Sequence, residues 1–148
     1  MRRVVTGHSL DGKAVFASDT EVEERTILMP SGAEMFKACT IWEATEAPTF
    51  PDNGSPPPVR SRYPVVGGFK FGMLTFPPQT DAGGMHVTDT VDMYFVLSGE
   101  VWLELDEGNE RLVRAGDTLV QNGTVHAWHN RANEPCRMVS FMAGANRK

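Results

Sequence analysis

The stretch that decides the fold is MHVTDTVDMYFVLSGE, which runs from Met85 to Glu100. Its second half is typical of a β-strand, in which successive side chains point to opposite faces, and it ends in a Ser-Gly turn. The stretch also carries His86, Asp89 and Asp92, charged or polar residues that an ordinary core strand would not contain. Because burying an unpaired charge is costly, a carboxylate inside such a strand indicates a partner for it, such as a metal ion.

The alternation of this strand sorts its side chains into two faces. Asp92, Tyr94 and Val96 should share one face, and the intervening apolar residues should share the other. If the first face points into the protein, Asp92 lies inside it. By contrast, Asp89 and Glu100 are predicted to lie in water, in the preceding loop and in the turn.

A second stretch, TVHAWHN at 124–130, carries the same kind of signal. Strand alternation places His126, Trp128 and Asn130 on one face and turns His129 to the opposite one. If the first face is internal, a histidine lies inside the protein beside a tryptophan. A hydrogen-bonded core histidine is the plainer interpretation of His126 taken alone, and His129 is predicted to be a surface or interface residue.

The composition limits the kind of protein. The chain has 148 residues, of which 41% are hydrophobic and 22% charged, so it has the size and the apolar content of one globular domain. A net charge of -5 argues against a nucleic-acid or anionic-membrane partner, since phosphate binding depends on clustered Lys and Arg. Cys39 and Cys136 follow no metal or redox spacing. With no long apolar run and no signal-peptide pattern, we expect a cytoplasmic protein.

Short strands joined by turns predict an all-β fold. Fourteen Gly and ten Pro accompany many short runs of Val, Ile, Phe, Trp and Thr, which favours a sandwich or a small closed barrel. The segment APTFPDNGSPPPVRSRYP, residues 47–64, cannot lie inside a sheet and is predicted to be a loop or flap. We therefore expect N-terminal strands and a proline-rich loop in 1–66, packed on a core barrel in 67–148, within one structural domain.

From about Gly68 to its C-terminus, the chain resembles the cupins. The first motif of that family is G-x5-H-x-H-x3or4-E-x6-G. His86 falls on its first histidine, Thr88 on its second and Asp92 on its glutamate. Gly99 falls on the closing glycine, and the surrounding YFVLSGEVWLELDEG is also cupin-like.

The second cupin motif, G-x5-P-x-G-x2-H-x3-N, is matched nearly as well. Gly123, His126 and Asn130 keep its spacing. Gly116 lies one residue too near, and Gln121 stands where the motif has proline. This part of the resemblance places His126 on a metal-ligand position.

The resemblance implies a single-domain, RmlC-like jelly-roll barrel that holds a divalent metal with three histidines and one carboxylate. Thr88 replaces one of those histidines, which leaves His86, Asp92 and His126 as the expected ligands. Two imidazoles and one carboxylate suit Fe, Mn, Zn or Ni and leave coordination positions open. Thr88 is also predicted to contact the substrate, and it could hydrogen-bond a metal-bound water. The alternative is a degenerate cupin that has lost its metal.

Other residues are predicted to complete a substrate pocket. Tyr94 shares a face with Asp92 and is a candidate proton donor, and Trp128 shares a face with His126 and is a candidate wall. Arg60 and Arg62 in the proline-rich loop could pair with a substrate carboxylate, although solvated loop arginines are the plainer interpretation.

Three functions remain open on the sequence alone. The first is a metal-dependent enzyme that acts on a small organic molecule in a lyase- or isomerase-type reaction, with the metal as Lewis acid. The second is an Fe(II) dioxygenase, and the third is a non-catalytic barrel that only binds a small molecule. A homodimer is expected as well, because exposed strand edges in such barrels are often covered by a partner's N-terminal strand.

Overall fold

The structure is a computed structural model that describes residues 1–56, 58 and 61–148. The regular secondary structure of these residues consists of β-strands, apart from a short 3-10 helix at Asp106–Gly108. The all-β prediction is confirmed. In chain order the strands are β1 (Arg2–His8), β2 (Ala14–Glu21), β3 (Arg25–Leu28), β4 (Glu34–Ala44), β5 (Phe69–Phe76), β6 (Thr80–His86), β7 (Thr90–Ser98), β8 (Glu100–Glu104), β9 (Glu110–Arg114), β10 (Thr118–Gln121), β11 (His126–Asn130) and β12 (Cys136–Gly144).

Two large sheets enclose the core. One has the strand order β10-β7-β12-β5-β4-β3, the other has the order β6-β11-β8-β9, and β1 pairs with β2 in a separate hairpin. All these neighbours run antiparallel, and most are not consecutive in the chain, as a jelly roll requires. The core draws on both large sheets, with these buried members: Phe76, Ala82, Tyr94, Val96, Val101, Leu103, Val113, Trp128, Cys136 and Met138.

The predicted alternation of β7 is confirmed. Asp92 and Val96 are each 1% exposed, whereas Met93 and Phe95 are 44% and 43% exposed. The side chains of β12 alternate between two faces in the same way, since Met138 is buried in the core while Val139 is only partly covered. The inward faces of these two strands form one wall of the space between the sheets.

The strand β6 was not predicted, and it is decisive for the site. Its sequence TDAGGMH contains two glycines with positive φ, 85° at Gly83 and 69° at Gly84, which interrupt the strand pattern. β6 nevertheless pairs with β11 on the edge of the four-stranded sheet. His86 therefore ends a strand, whereas the sequence only placed it ahead of one.

The expected N-terminal strands are present and begin with a hairpin. β1 and β2 are joined by residues 9–13, where the Gly12 amide donates to the Ser9 carbonyl at 2.9 Å. β3 and β4 then enter the six-stranded sheet, since β4 pairs with β5. The division of the chain near residue 66 stays a prediction.

The described residues of segment 47–64 form no strand or helix, as expected for a loop. This loop touches the hairpin, because the His8 amide donates to the Asp52 carbonyl at 2.7 Å. Within the described part of the chain, no helix is long and apolar enough to cross a membrane.

Candidate functional site

Two histidines meet across neighbouring strands. His126 in β11 is the register partner of His86 in β6, and their ring centroids lie 4.3 Å apart. His126 is buried and His86 is half-buried. Both side chains line the same cavity between the sheets.

Main-chain carbonyls fix the orientation of both rings. Nδ1 of His86 lies 3.0 Å from the Gly84 carbonyl oxygen, and Nδ1 of His126 lies 3.0 Å from that of Thr124. The Gln121 amide nitrogen donates its two hydrogens to the Thr124 carbonyl and hydroxyl, at 2.7 and 2.9 Å. Nδ1 of His126 also lies 2.8 Å from the Gln121 amide nitrogen. Hydrogen bonds thus engage Nδ1 of both rings, which leaves Nε2 of each ring as the available ligand atom. Metal-binding histidines are commonly held in this way.

Asp92 brings a carboxylate from the opposite sheet. Its Oδ2 accepts a hydrogen bond from the Tyr94 hydroxyl at 3.1 Å. Its Oδ1 is buried and has no hydrogen-bond partner among the described residues. Burial raises the pKa of Asp92, against the opposing influence of nearby hydroxyls and of the two histidines. An orphaned carboxylate oxygen that lines the same cavity as two imidazoles fits a bound divalent cation.

The spacing of these ligands is loose. The nitrogen and oxygen ligand atoms of His86, Asp92 and His126 do not all lie within 4.8 Å of one another. In the described chain, one group of three does meet that spacing, and it consists of Glu104, Glu110 and His129. The described residues thus include one His/Glu group whose ligand atoms already have the spacing of a metal site, and an inner trio that would have to draw together around an ion.

The His/Glu group lies on the other face of β11, and ion pairs occupy it. His129 places Nδ1 2.7 Å from Asp81 and Nε2 2.7 Å from Glu104, while Glu110 pairs with Arg131. Burial of the His129 ring opposes protonation, but the two carboxylates outweigh it and raise the pKa. A metal ion there would displace these pairs. Among the described residues the inner trio forms no ion pair, and the buried Oδ1 of Asp92 has no hydrogen-bond partner there.

Tyr94 is placed to hold a proton next to Asp92. Burial, together with the Asp92 charge, raises the pKa of the phenol well above its ordinary value. Tyr94 therefore stays protonated and acts as a hydrogen-bond donor at neutral pH. Its ring packs edge-on against Trp128, with centroids 5.3 Å apart, and Trp128 in turn meets the edge of His126 at 5.8 Å.

One cavity of about 1080 Å³ collects every predicted site residue that the structure describes. Apolar side chains such as Phe36, Leu74 and Phe76 also line it. Arg60 lies outside the described residues. The predicted residues on the cavity wall are Arg62, His86, Thr88, Asp92, Tyr94, His126 and Trp128.

The individual binding residues differ in exposure. Thr88 is buried and accepts a hydrogen bond from the Thr90 hydroxyl at 2.8 Å. Trp128 is also buried. Arg62 is exposed, and its guanidinium lies over the Tyr63 ring, 5.4 Å from the centroid. Their roles toward a substrate stay predictions.

Sequence reasoning missed a buried ion pair in the cavity region. Lys70 and Glu43 are register partners whose charged groups lie 3.0 Å apart, and both are buried. Lys70 also donates to the Ser61 carbonyl, which fastens the proline-rich segment close to Arg62. A lysine within the apolar run FKFGMLTF was the available signal. The direction in which the Lys70 side chain points depends on strand register, which the sequence alone did not give.

Comparisons with known proteins agree with this fold. The Cupin_2 family model, described as a cupin domain, matches residues 72–142. The chain is 30% identical over 137 residues to the cupin-domain-containing oxidoreductase virC of Hypocrea virens, which covers 86% of this chain and 66% of that protein. It is also 30% identical over 163 residues to oryzines biosynthesis cluster protein J of Aspergillus oryzae, covering 97% of this chain and 82% of the relative.

A solved structure shows the same fold at low identity. The crystal structure of a cupin 2 conserved barrel domain protein from Salinispora arenicola matches with a TM-score of 0.53, at 18% identity, over 82% of each chain. The chain spans between 31% and 66% of the length of the first three curated relatives it matches. The motifs, the jelly-roll topology and these similarities together show that the chain belongs to the cupin superfamily.

Proposed function

We propose that this protein is a metal-dependent enzyme that acts on a small organic molecule in the cavity between its sheets. His86, Asp92 and His126 would hold one divalent transition metal, either Fe, Mn, Zn or Ni. The observation that carries the proposal is the buried Asp92 Oδ1, which has no partner among the described residues and lies in the same cavity as two imidazoles. When bound, such a metal supplies Lewis acidity toward a carbonyl or carboxylate.

The first candidate reaction is a lyase- or isomerase-type proton transfer. Tyr94 holds its proton on Oη and directs it at Asp92 Oδ2, 3.1 Å away, in a buried setting. This places a protonated donor on the cavity wall, as general acid catalysis requires. Trp128 excludes water from one side of the cavity, and Thr88 and Arg62 offer polar contacts to a substrate.

An oxidoreductase, and specifically an Fe(II) dioxygenase, is the second candidate. Two observations favour it: a donor set of two histidines and one carboxylate is a common Fe(II) set, and a relative is named a cupin-domain-containing oxidoreductase. The name of the Aspergillus oryzae relative supports a place in small-molecule biosynthesis for either reaction.

Metal analysis of the purified protein tests the proposal. After expression in metal-supplemented medium, we expect about one transition-metal ion per chain by mass spectrometry. His126→Ala and Asp92→Asn should abolish this metal, while the matched control His129→Gln should keep it. A wild-type protein without stoichiometric metal would support the non-catalytic binding barrel. Bound iron accompanied by oxygen uptake would favour the dioxygenase over the lyase.

The homodimer and the cytoplasmic location stay predictions. Light scattering of the purified chain measures the first directly. The expected mass is that of two chains, and a mass of one chain would contradict the expectation.

A further inference from the structure

The first two residues of β1 are arginines with different surroundings. Arg2 is exposed and forms a two-pronged pair with Asp19, with both distances at 2.7 Å. Arg3 lies on the other face of the strand, is half-buried and lines the cavity that holds the candidate metal ligands. Adjacent residues thus provide one arginine that is neutralised at the surface and one that faces the candidate site.

Arg3 is incompletely partnered. Its Nη1 donates to the Ile41 carbonyl at 3.1 Å. Its Nε is buried and has no hydrogen-bond partner within the described part of the chain. Leaving a buried donor of a charged group unsatisfied is unfavourable, so this nitrogen indicates a missing acceptor.

A second orphaned polar atom lies on the same face of the hairpin. Ser18 is the register partner of Val5, and Val5 shares its strand face with Arg3. The Ser18 hydroxyl oxygen is also buried without a partner among the described residues. Ser18 does not line the cavity, so Arg3 Nε is the unsatisfied donor that the cavity itself contains.

The chemistry of the free guanidinium edge selects the kind of ligand. With Nη1 engaged by Ile41, the Nε side of the guanidinium remains, and that side presents two parallel N–H groups to an acceptor. A carboxylate matches this geometry with its two oxygens, and the opposite charges strengthen both hydrogen bonds. The apolar part of the cavity wall, including Phe36, Leu74 and Phe76, suits a hydrophobic body attached to that acid.

We propose that Arg3 binds the carboxylate of the substrate, so that the cavity takes a small organic acid with an apolar body. The inference rests on the proposed function in that it names the substrate class of the same cavity. It depends on different atoms, however, because Arg3 lies on the N-terminal hairpin and His86, Asp92 and His126 lie on the barrel strands.

Binding of cinnamate, compared with its neutral amide cinnamamide, tests the proposal by calorimetry on the full-length protein. The wild type should prefer the acid. Arg3→Gln should weaken acid binding by about tenfold or more, because a charge-assisted contact is lost, and should leave amide binding unchanged. Arg2→Gln is the matched control and should bind both compounds as the wild type does. Arg3→Lys keeps the charge but loses the two-pronged edge. Its affinity for cinnamate should lie between those of the wild type and Arg3→Gln.

Two results would overturn the assignment of Arg3. One is equal cinnamate affinity in the wild type and Arg3→Gln, with both proteins folded by circular dichroism. The other is a wild type that shows no preference for the acid, including the case in which it binds neither compound. If His126→Ala abolishes acid binding while Arg3→Gln does not, the acid is held at the candidate metal ligands instead.

Metal content separates this inference from the proposed function. A metal-containing wild type whose Arg3→Gln variant binds the acid normally would defeat the inference alone. A metal-free wild type that still needs Arg3 for acid binding would defeat the enzyme proposal alone.

Discussion

His86 and His126 are cross-strand partners whose ring centroids lie 4.3 Å apart, although a large part of the barrel separates them in the chain. They lie in the four-stranded sheet, whereas Asp92 and Tyr94 lie in β7 of the six-stranded sheet. The candidate site therefore forms only when the two sheets pack together. This gives the site a direct link to the stability of the fold.

Asp92→Asn should stabilise the metal-free protein. The carboxylate is 1% exposed, its Oδ1 lacks a partner among the described residues, and burial raises its pKa, so the charged form is penalised. A neutral side chain of the same shape removes that penalty, and we expect the free energy of unfolding to rise by on the order of 1 kcal/mol. Urea unfolding in the presence of a chelator measures it.

The control for that change is Asp89→Asn. Asp89 is exposed and paired with Arg147 at the surface, so its replacement should leave stability unchanged or slightly lower. A destabilised Asp92→Asn protein would show that the carboxylate is a satisfied structural group.

Tyr94→Phe should separate catalysis from structure. The phenyl ring keeps its edge-on contact with Trp128, so metal content and melting temperature should change little. Loss of the hydroxyl proton should lower kcat by about 10²- to 10⁴-fold with the physiological substrate. Steady-state kinetics measure the effect, and an unchanged kcat would remove Tyr94 from the chemistry.

Two side chains on neighbouring strands test which face of the large sheet is internal. Met138 is 1% exposed and packs in the core, so Met138→Ala should cost about 2–5 kcal/mol of unfolding free energy. Phe95 points outward and is 43% exposed, so Phe95→Ala should cost far less. Denaturant unfolding of both variants measures the difference, and equal losses would contradict the inward face described for β7 and β12.

The ion pairs of His129 should make stability depend on pH. Burial opposes protonation of the ring, but Asp81 and Glu104 raise its pKa above the ordinary value of 6.5. The stabilisation is therefore complete below the unfolded pKa and is lost as the pH rises through the folded one. The difference in unfolding free energy between wild type and His129→Gln should shrink with increasing pH. A constant difference would mean that the ring does not titrate with folding.

Strand alternation was sufficient to group Asp92 with Tyr94 and His126 with Trp128 on shared faces, which the structure shows to be internal. The period of two is a property of the extended backbone, so it survives in any sheet that buries one face. The motif resemblance supplied the expected neighbours of these residues, and the topology agrees with the jelly roll it implied.

Contacts that depend on register could not be predicted. The glycines of β6 hid the strand that carries His86, and a bulge between Thr40 and Trp42 changes which residues of β4 face inward. The Lys70–Glu43 pair and the position of Arg3 follow from pairings of this kind. Neither could be predicted from a local sequence pattern, since each depends on contacts between segments that are distant in the chain.

The most direct test of the metal centre is the anomalous scattering of crystals grown with the metal that the purified protein carries. One peak should lie between Nε2 of His86, Nε2 of His126 and Asp92 Oδ1, at about 2.0–2.3 Å from each. A peak at Glu104, Glu110 and His129, or three inner side chains around no anomalous density, would contradict the proposed centre.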